Sequence, residues 1–139
     1  MTPTSLMRHC GVRKQYHFWP GEGDLDAWDV DRLIALSASF DVEEIDHSSV
    51  WEVETVYWFD EHDKPTVRKV IEHARLIQDV DLAYPIIIGP DGRVIDGMHC
   101  VARALLERAT TIRAVRFDVI PDPDFRNCRP GDPPYDKRP

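Results

Sequence analysis

The chain has 139 residues, 42% hydrophobic and 30% charged, a composition that suits one soluble domain and excludes two full-sized ones. No apolar run approaches the roughly 20 residues that a membrane-spanning helix needs. The net charge of −8 is uneven: residues 22–63 hold 14 acids against one base, Arg32, while the remainder holds 16 bases against 11 acids. With so much negative surface, nucleic acid is not an expected partner, because such binding rests on cationic surface and counterion release. Cys10, Cys100 and Cys128 are widely spaced and form no CxxC pair, which argues against a disulfide framework or a closed zinc site.

In chain order, residues 1–21 carry little periodic signal. The opening MTPTSLMRHCGVRKQ lacks an apolar block long enough for a secretory leader, so cytoplasmic residence is expected. From Asp24 to Phe40, the residues Leu25, Trp28, Leu33, Ile34 and Leu36 predict one amphipathic helix. VEEID (42–46) predicts a short strand, and Ser48-Ser49 a turn. WEVETVYWF (51–59) fits strand and helix equally, and both readings stay open.

Asp63-Lys64-Pro65-Thr66 opens a second helix running to Asp79, because proline costs nothing in a first turn. Its predicted inner face is Val67, Val70, Ile71, Ala74 and Ile77, with His73 at the boundary. Tyr84-Pro85-Ile86-Ile87-Ile88 predicts a strand buried on both faces. Gly89-Pro90-Asp91-Gly92 is turn chemistry, and Arg93-Val94-Ile95 returns as the second strand of a hairpin. A helix starts at Gly97 with Met98, Val101, Ala102 and Leu105 inward, and a last strand runs from Ile112 to Val119. Six of the 11 prolines lie between Pro121 and Pro139, predicting an extended tail and not another packed element. The order describes an α+β domain, a small mixed sheet flanked by helices. It divides into an N-terminal helical extension (1–41), a core (42–119) and a proline-rich tail (120–139).

The stretch VIDGMHCVAR (94–103) takes a strand directly into a helix. Such a helix start presents backbone N–H groups and the positive end of its dipole, which favours anions. Gly97 would let a ligand approach the backbone, and His99 and Arg103, four apart, share one helix face. Arg103 offers two parallel hydrogen bonds to a phosphate, and His99 a donor or a transferable proton. Asp96 could cap the helix or hold a metal-bound water, and these roles compete for the same N–H groups. Cys100 sits in the first turn, where a dipole lowers a thiol pKa. It points away from His99 and reads better as a small buried residue.

Residues 84–117, YPIIIGPDGRVIDGMHCVARALLERATTIRAVRF, resemble the core of the ParB/sulfiredoxin superfamily. There a P-I-hydrophobic strand, a turn and a second strand lead to a DG-x-H-R helix start and a final strand. The strand at 42–46 and the helix at 65–79 fit the same order, so the resemblance covers about 42–118. It is closest to small stand-alone ParB-like proteins, whose P-Y-D tail is matched by Pro134-Tyr135-Asp136. The resemblance implies nucleotide phosphate binding by Gly97, Met98 and His99: members use this region for CTP, ATP or ADP.

Three departures qualify what it implies. Met98 stands where sulfiredoxin has its catalytic cysteine, so sulfinic acid reduction is not expected. Cys100 replaces the arginine that follows the histidine, removing a charge-assisted contact worth roughly 1.5–3 kcal/mol, for which Arg103 is the candidate substitute from the next turn. No helix-turn-helix segment is visible, so chromosome partitioning is not expected.

The resulting expectation is a nucleotide-binding domain for ATP, ADP or CTP with Mg²⁺, which hydrolyses or transfers phosphate. Asp96 and His99 are its catalytic candidates, Gly97, Met98, His99, Cys100 and Arg103 its phosphate contacts, and Glu52, Glu54 and Glu61 further acids for Mg²⁺. The alternative is a catalytically degenerate module whose acidic stretch and proline-rich tail meet a protein partner. A ParB-like nuclease is a third reading, with the charge distribution against it.

Overall fold

The computed structural model describes residues 15–21 and 23–134. Cys10, Tyr135, Asp136 and the leader reading of residues 1–14 lie outside them. The elements are β1 (Tyr16–Pro20), β2 (Leu25–Asp29), α1 (Val30–Ser37), β3 (Val42–Asp46), α2 (Val67–Asp79), β4 (Ile86–Ile88), β5 (Val94–Asp96), α3 (Met98–Leu106), β6 (Thr111–Arg116) and β7 (Phe125–Cys128). Two short 3₁₀ turns, His47–Ser49 and Trp51–Glu54, follow β3. The fold class is the mixed α+β arrangement expected.

The central sheet has the order β3-β6-β4-β5, with β4 and β6 parallel and the other neighbours antiparallel. The β-branched run of β4 is fully buried, as predicted, because both faces are covered. Ile86 and Ile88 join Val94, Met98, Cys100, Val101, Ala104 and Ile112 under α3. Ile87 faces the other way and packs with Ile95, Phe117, Trp28 and Leu33, under β2 and α1. The predicted hairpin turn closes through Gly92 N–H to Gly89 O (3.0 Å), with Gly92 at φ +85°.

Four expectations are corrected. The helix expected to open at Asp24 begins at Val30, and residues 25–29 are a strand. Asp29 is its N-cap, its Oδ1 accepting from Asp31 N (2.9 Å), so a carboxylate near the middle of the apolar pattern starts the helix. The second correction is β1: its aromatic run, Tyr16-His17-Phe18-Trp19, pairs with β2 and puts strand structure in a region that showed no period.

Third, residues 125–128 of the tail are packed, pairing with β2 in the sheet β1-β2-β7. β7 is an edge strand, where nearby prolines cost no ladder bond. Asn127 at φ +54° accepts from Asp24 N (2.7 Å), and Asp124 holds Arg32 at 3.1 Å. Fourth, α2 is rotated from its predicted face. Of that face Val67, Val70, Ile71 and Ala74 are exposed and Ile77 is part-buried as predicted, while His73 and Leu76 turn inward beside it. Thr66 is its N-cap, so Pro65 precedes the helix. The last strand ends at Arg116 instead of Val119.

Candidate functional site

The β5–α3 junction has the predicted form. Gly97 is the N-cap of α3 at φ +112°, ψ +21°, a left-handed conformation that turns the strand into the helix without a linker. A Cβ there would lie 2.7 Å from Ile86 Cγ2, so the glycine is also required by the close packing of the junction on β4. First-turn N–H groups have no acceptor within their own helix, and they make this end electropositive. A small pocket of about 50 Å³ opens here, lined by Gln15, Leu76, Val80, Asp96, Gly97, His99 and Cys100. Asp96, Gly97, His99 and Cys100 are thus brought together as expected.

The other expected residues are employed elsewhere. Arg103 turns toward the end of α2, donating to Gln78 O (2.6 Å) and Ile77 O (3.4 Å) and pairing with Glu107 (2.5 Å). A cation satisfying terminal carbonyls is favoured by the helix dipole, so this arginine closes α2 instead of reaching back to the junction. Met98 and Cys100 place their side chains in the core beneath α3. Glu52 is 6% exposed, and its Oε1 accepts from Val94 N (2.7 Å). It satisfies the free edge of β5, while Tyr57 OH reaches Val94 O (3.4 Å). Burial pushes the Glu52 carboxyl up, against the lowering effect of the Val94 N–H. Glu54 and Glu61 are exposed. Among the described residues no group of three or more His, Cys, Asp or Glu side chains could hold a metal ion.

His99 belongs to an aromatic stack that sequence reasoning did not assemble. Its ring and that of His73 both lie 4.5 Å from Trp58, at interplanar angles of 14° and 20°. His73 Nδ1 and His99 Nε2 are 2.8 Å apart. One nitrogen must donate and the other accept, so this contact holds a single proton between two imidazoles. Burial lowers the pKa of His73, partly offset by Glu72. The sequence pattern places His73 at the boundary because its apolar neighbours suggest the opposite helix face.

A second cavity lies between the β1–β2 sheet and the β4–β5 turn. It measures about 280 Å³ and is lined chiefly by His17, Trp19, Trp28, Leu33, Arg93 and Ile95. The Arg93 guanidinium sits over the Trp19 ring, 3.6 Å from its centroid, with Trp51 at 5.9 Å. Its Nε is buried and has no hydrogen-bond partner. Asp91 Oδ2 stands 3.8 Å from Nη1. His17 is held at about 4, by burial first and by Arg93, against the opposing charge of Asp96, so its ring is neutral at pH 7. In β1 the strand period places His17 and Trp19 on one face, a grouping the consecutive rings of YHFW do not single out in sequence.

No helix among the described residues is long and apolar enough to cross a membrane. Comparison of the chain with family models, with curated proteins and with solved structures returns no match.

Proposed function

We propose that this protein is a ParB-like nucleotide-binding domain that holds the phosphates of ATP, ADP or CTP at the β5–α3 junction. The observation that carries the reading is the junction itself: Gly97 at φ +112° delivers the electropositive start of α3 beside Asp96 and His99, at the mouth of a small pocket. The positive end of the α3 dipole would hold the phosphate, and the His99 ring would stand beside it. Mg²⁺, where present, would arrive with the phosphates.

A catalytically degenerate module is the second reading, and a specific observation favours it. Arg103, the one cation near enough in sequence to replace the missing arginine, is committed to the carbonyls of α2. Binding without turnover is the form of the proposal that fits both.

A thermal-shift screen tests it, using ATP, ADP, CTP and GTP, each with and without Mg²⁺, beside a His99→Ala control. At 100 times its dissociation constant, a nucleotide stabilises the fold by about 2.7 kcal/mol, a rise of several degrees. A rise that vanishes in His99→Ala supports the junction. No rise with any nucleotide overturns the reading.

A further inference from the structure

Helix α2 carries apolar residues on two sides, and only one side is covered. His73, Leu76 and Ile77 turn toward the domain. Val67, Val70 and Ile71 are 77%, 50% and 50% exposed, and Ala74 is exposed beside them. At about 100° per residue, positions 67, 70, 71 and 74 share one sector of the helix about 100° wide. A stripe of that width ordinarily packs against another element. The residue types agree. Exposed helix positions are usually filled by strong helix formers, whereas Val and Ile lose rotamer freedom in a helix. Three β-branched residues on one open face therefore weaken α2 unless something packs on them.

The border of the stripe selects what fits. On one side it runs into Ile77 and the domain. On the other stand Arg68 and Arg75, both exposed, seven residues and thus about two turns apart along one edge. Arg32, Lys69, Arg103 and Arg116 each have a carboxylate within ion-pair distance. Among the described residues, Arg68 and Arg75 have none. The acids of the helix, Glu72 and Asp79, lie beyond the arginines as seen from the stripe, and the charge of Glu72 acts on His73. A chain of net charge −8 thus keeps two uncommitted cations along its exposed aliphatic stripe.

A second copy of the chain does not meet this pattern. An antiparallel two-fold pairing of α2 with α2 sets arginine edge against arginine edge, and a parallel one sets it against the aliphatic Ile77 edge. An anionic membrane would satisfy the arginines, but its broad surface also meets the rest of an acidic molecule. A narrow acidic segment meets the edge alone.

We infer that α2 docks an acidic amphipathic helix of a partner protein. That helix lays aliphatic residues on Val67, Val70, Ile71 and Ala74, and it carries two carboxylates about seven residues apart for Arg68 and Arg75. Each guanidinium can hold a carboxylate through two parallel hydrogen bonds. The surface is independent of the nucleotide reading, since none of these residues lines the pocket at the β5–α3 junction.

Fluorescence anisotropy of the full-length protein with three labelled peptides of about 18 residues, five helical turns, tests this. All three carry the same leucine stripe, bordered by glutamate in the first, glutamine in the second and lysine in the third. The glutamate peptide should bind saturably, the glutamine peptide about tenfold more weakly, and the lysine peptide more weakly again. Charge reversal at two exposed positions, Arg68→Glu with Arg75→Glu, should invert that order, which a loss of fold does not do. Val67→Ser with Ile71→Ser should weaken the glutamate peptide by about tenfold while the circular dichroism spectrum stays unchanged. An order that survives charge reversal would overturn the arginine edge, and affinity untouched by the serine variant would overturn the stripe. The docking itself is refuted if the glutamate peptide does not bind at millimolar concentration. Sedimentation with phosphatidylserine vesicles that charge reversal abolishes would replace the partner helix with a membrane. A dimer that the serine variant dissociates in the ultracentrifuge would replace it with a second copy.

Discussion

His73 Nδ1 and His99 Nε2 lie 2.8 Å apart, joining the middle of α2 to the first turn of α3 beneath the Trp58 ring. The pair connects the candidate phosphate site to a helix that has no fully buried residue of its own. Its bond exists while one of the two facing nitrogens is unprotonated. Because burial lowers the His73 pKa, the bond should persist somewhat below pH 6.5 and break when both rings are charged. Side-chain ¹⁵N NMR through a titration should show one shared proton near pH 7. His73 titrating at or above pH 6.5 would contradict this.

Stability should fall as the pH drops from 6.5 toward 4, and His17 should be a large contributor. Its folded pKa of about 4 lies below the unfolded 6.5, so the unfolded chain binds more protons across that window. At about 1.4 kcal/mol per unit, the full window is worth up to about 3 kcal/mol. Urea unfolding at pH 7 and pH 5 should give a smaller difference for His17→Phe than for the native chain. Equal differences would place the proton uptake elsewhere.

Gly97→Ala should cost more than an ordinary surface substitution. The residue sits at φ +112°, and the added Cβ would press on Ile86 at 2.7 Å. Left-handed strain of about 1–2 kcal/mol adds to overpacking of about 1–3 kcal/mol. Denaturant unfolding measures the sum, and a loss below 1 kcal/mol, on the order of a typical exposed site, would mean the junction can open.

Glu52 should behave as a structural acceptor at the sheet edge. Glu52→Gln keeps an oxygen for Val94 N–H, whereas Glu52→Ala leaves that donor unsatisfied at about 1–3 kcal/mol. The expected order of melting temperatures is native and Gln close together, with Ala lower. If nucleotide affinity fell in Gln while stability held, Glu52 would have a ligand role that its hydrogen bond does not suggest.

Arg103→Ala should lower stability by about 1 kcal/mol through loss of the α2 carbonyl contacts, and leave nucleotide binding at the junction unchanged. Calorimetric titration of the variant separates the two effects. A large loss of affinity would show that the guanidinium swings to the phosphate when a ligand arrives.

Much of the central sheet was legible from the chain. The isoleucine run of β4, the turn at Gly89–Gly92, the strand of β5 and the glycine-started helix each combine local propensity with a clear boundary residue, and each formed as predicted. The strand-to-helix junction was legible for the same reason, since Asp96, Gly97 and Met98 are contiguous. Where the pattern was ambiguous, pairing decided. Leu25 and Trp28 sit three apart and suit a helix, but two flanking strands were available to claim their backbone, and Asp29 capped the helix only after them.

Local pattern by itself determined the sheet core, the β5–α3 junction and the α+β class, because those features depend on neighbours a few residues away. Only the tertiary structure decided that β7 leaves the proline-rich tail to join β2, that α2 turns His73 inward onto Trp58 and His99, and that Arg103 closes α2 instead of serving the junction. It also gathered His17, Trp19, Trp28 and Arg93 around one cavity. Each of these outcomes joins residues distant in sequence, and each was settled by which donor, acceptor or ring face remained available once the sheet had formed, a quantity that no short window of sequence contains.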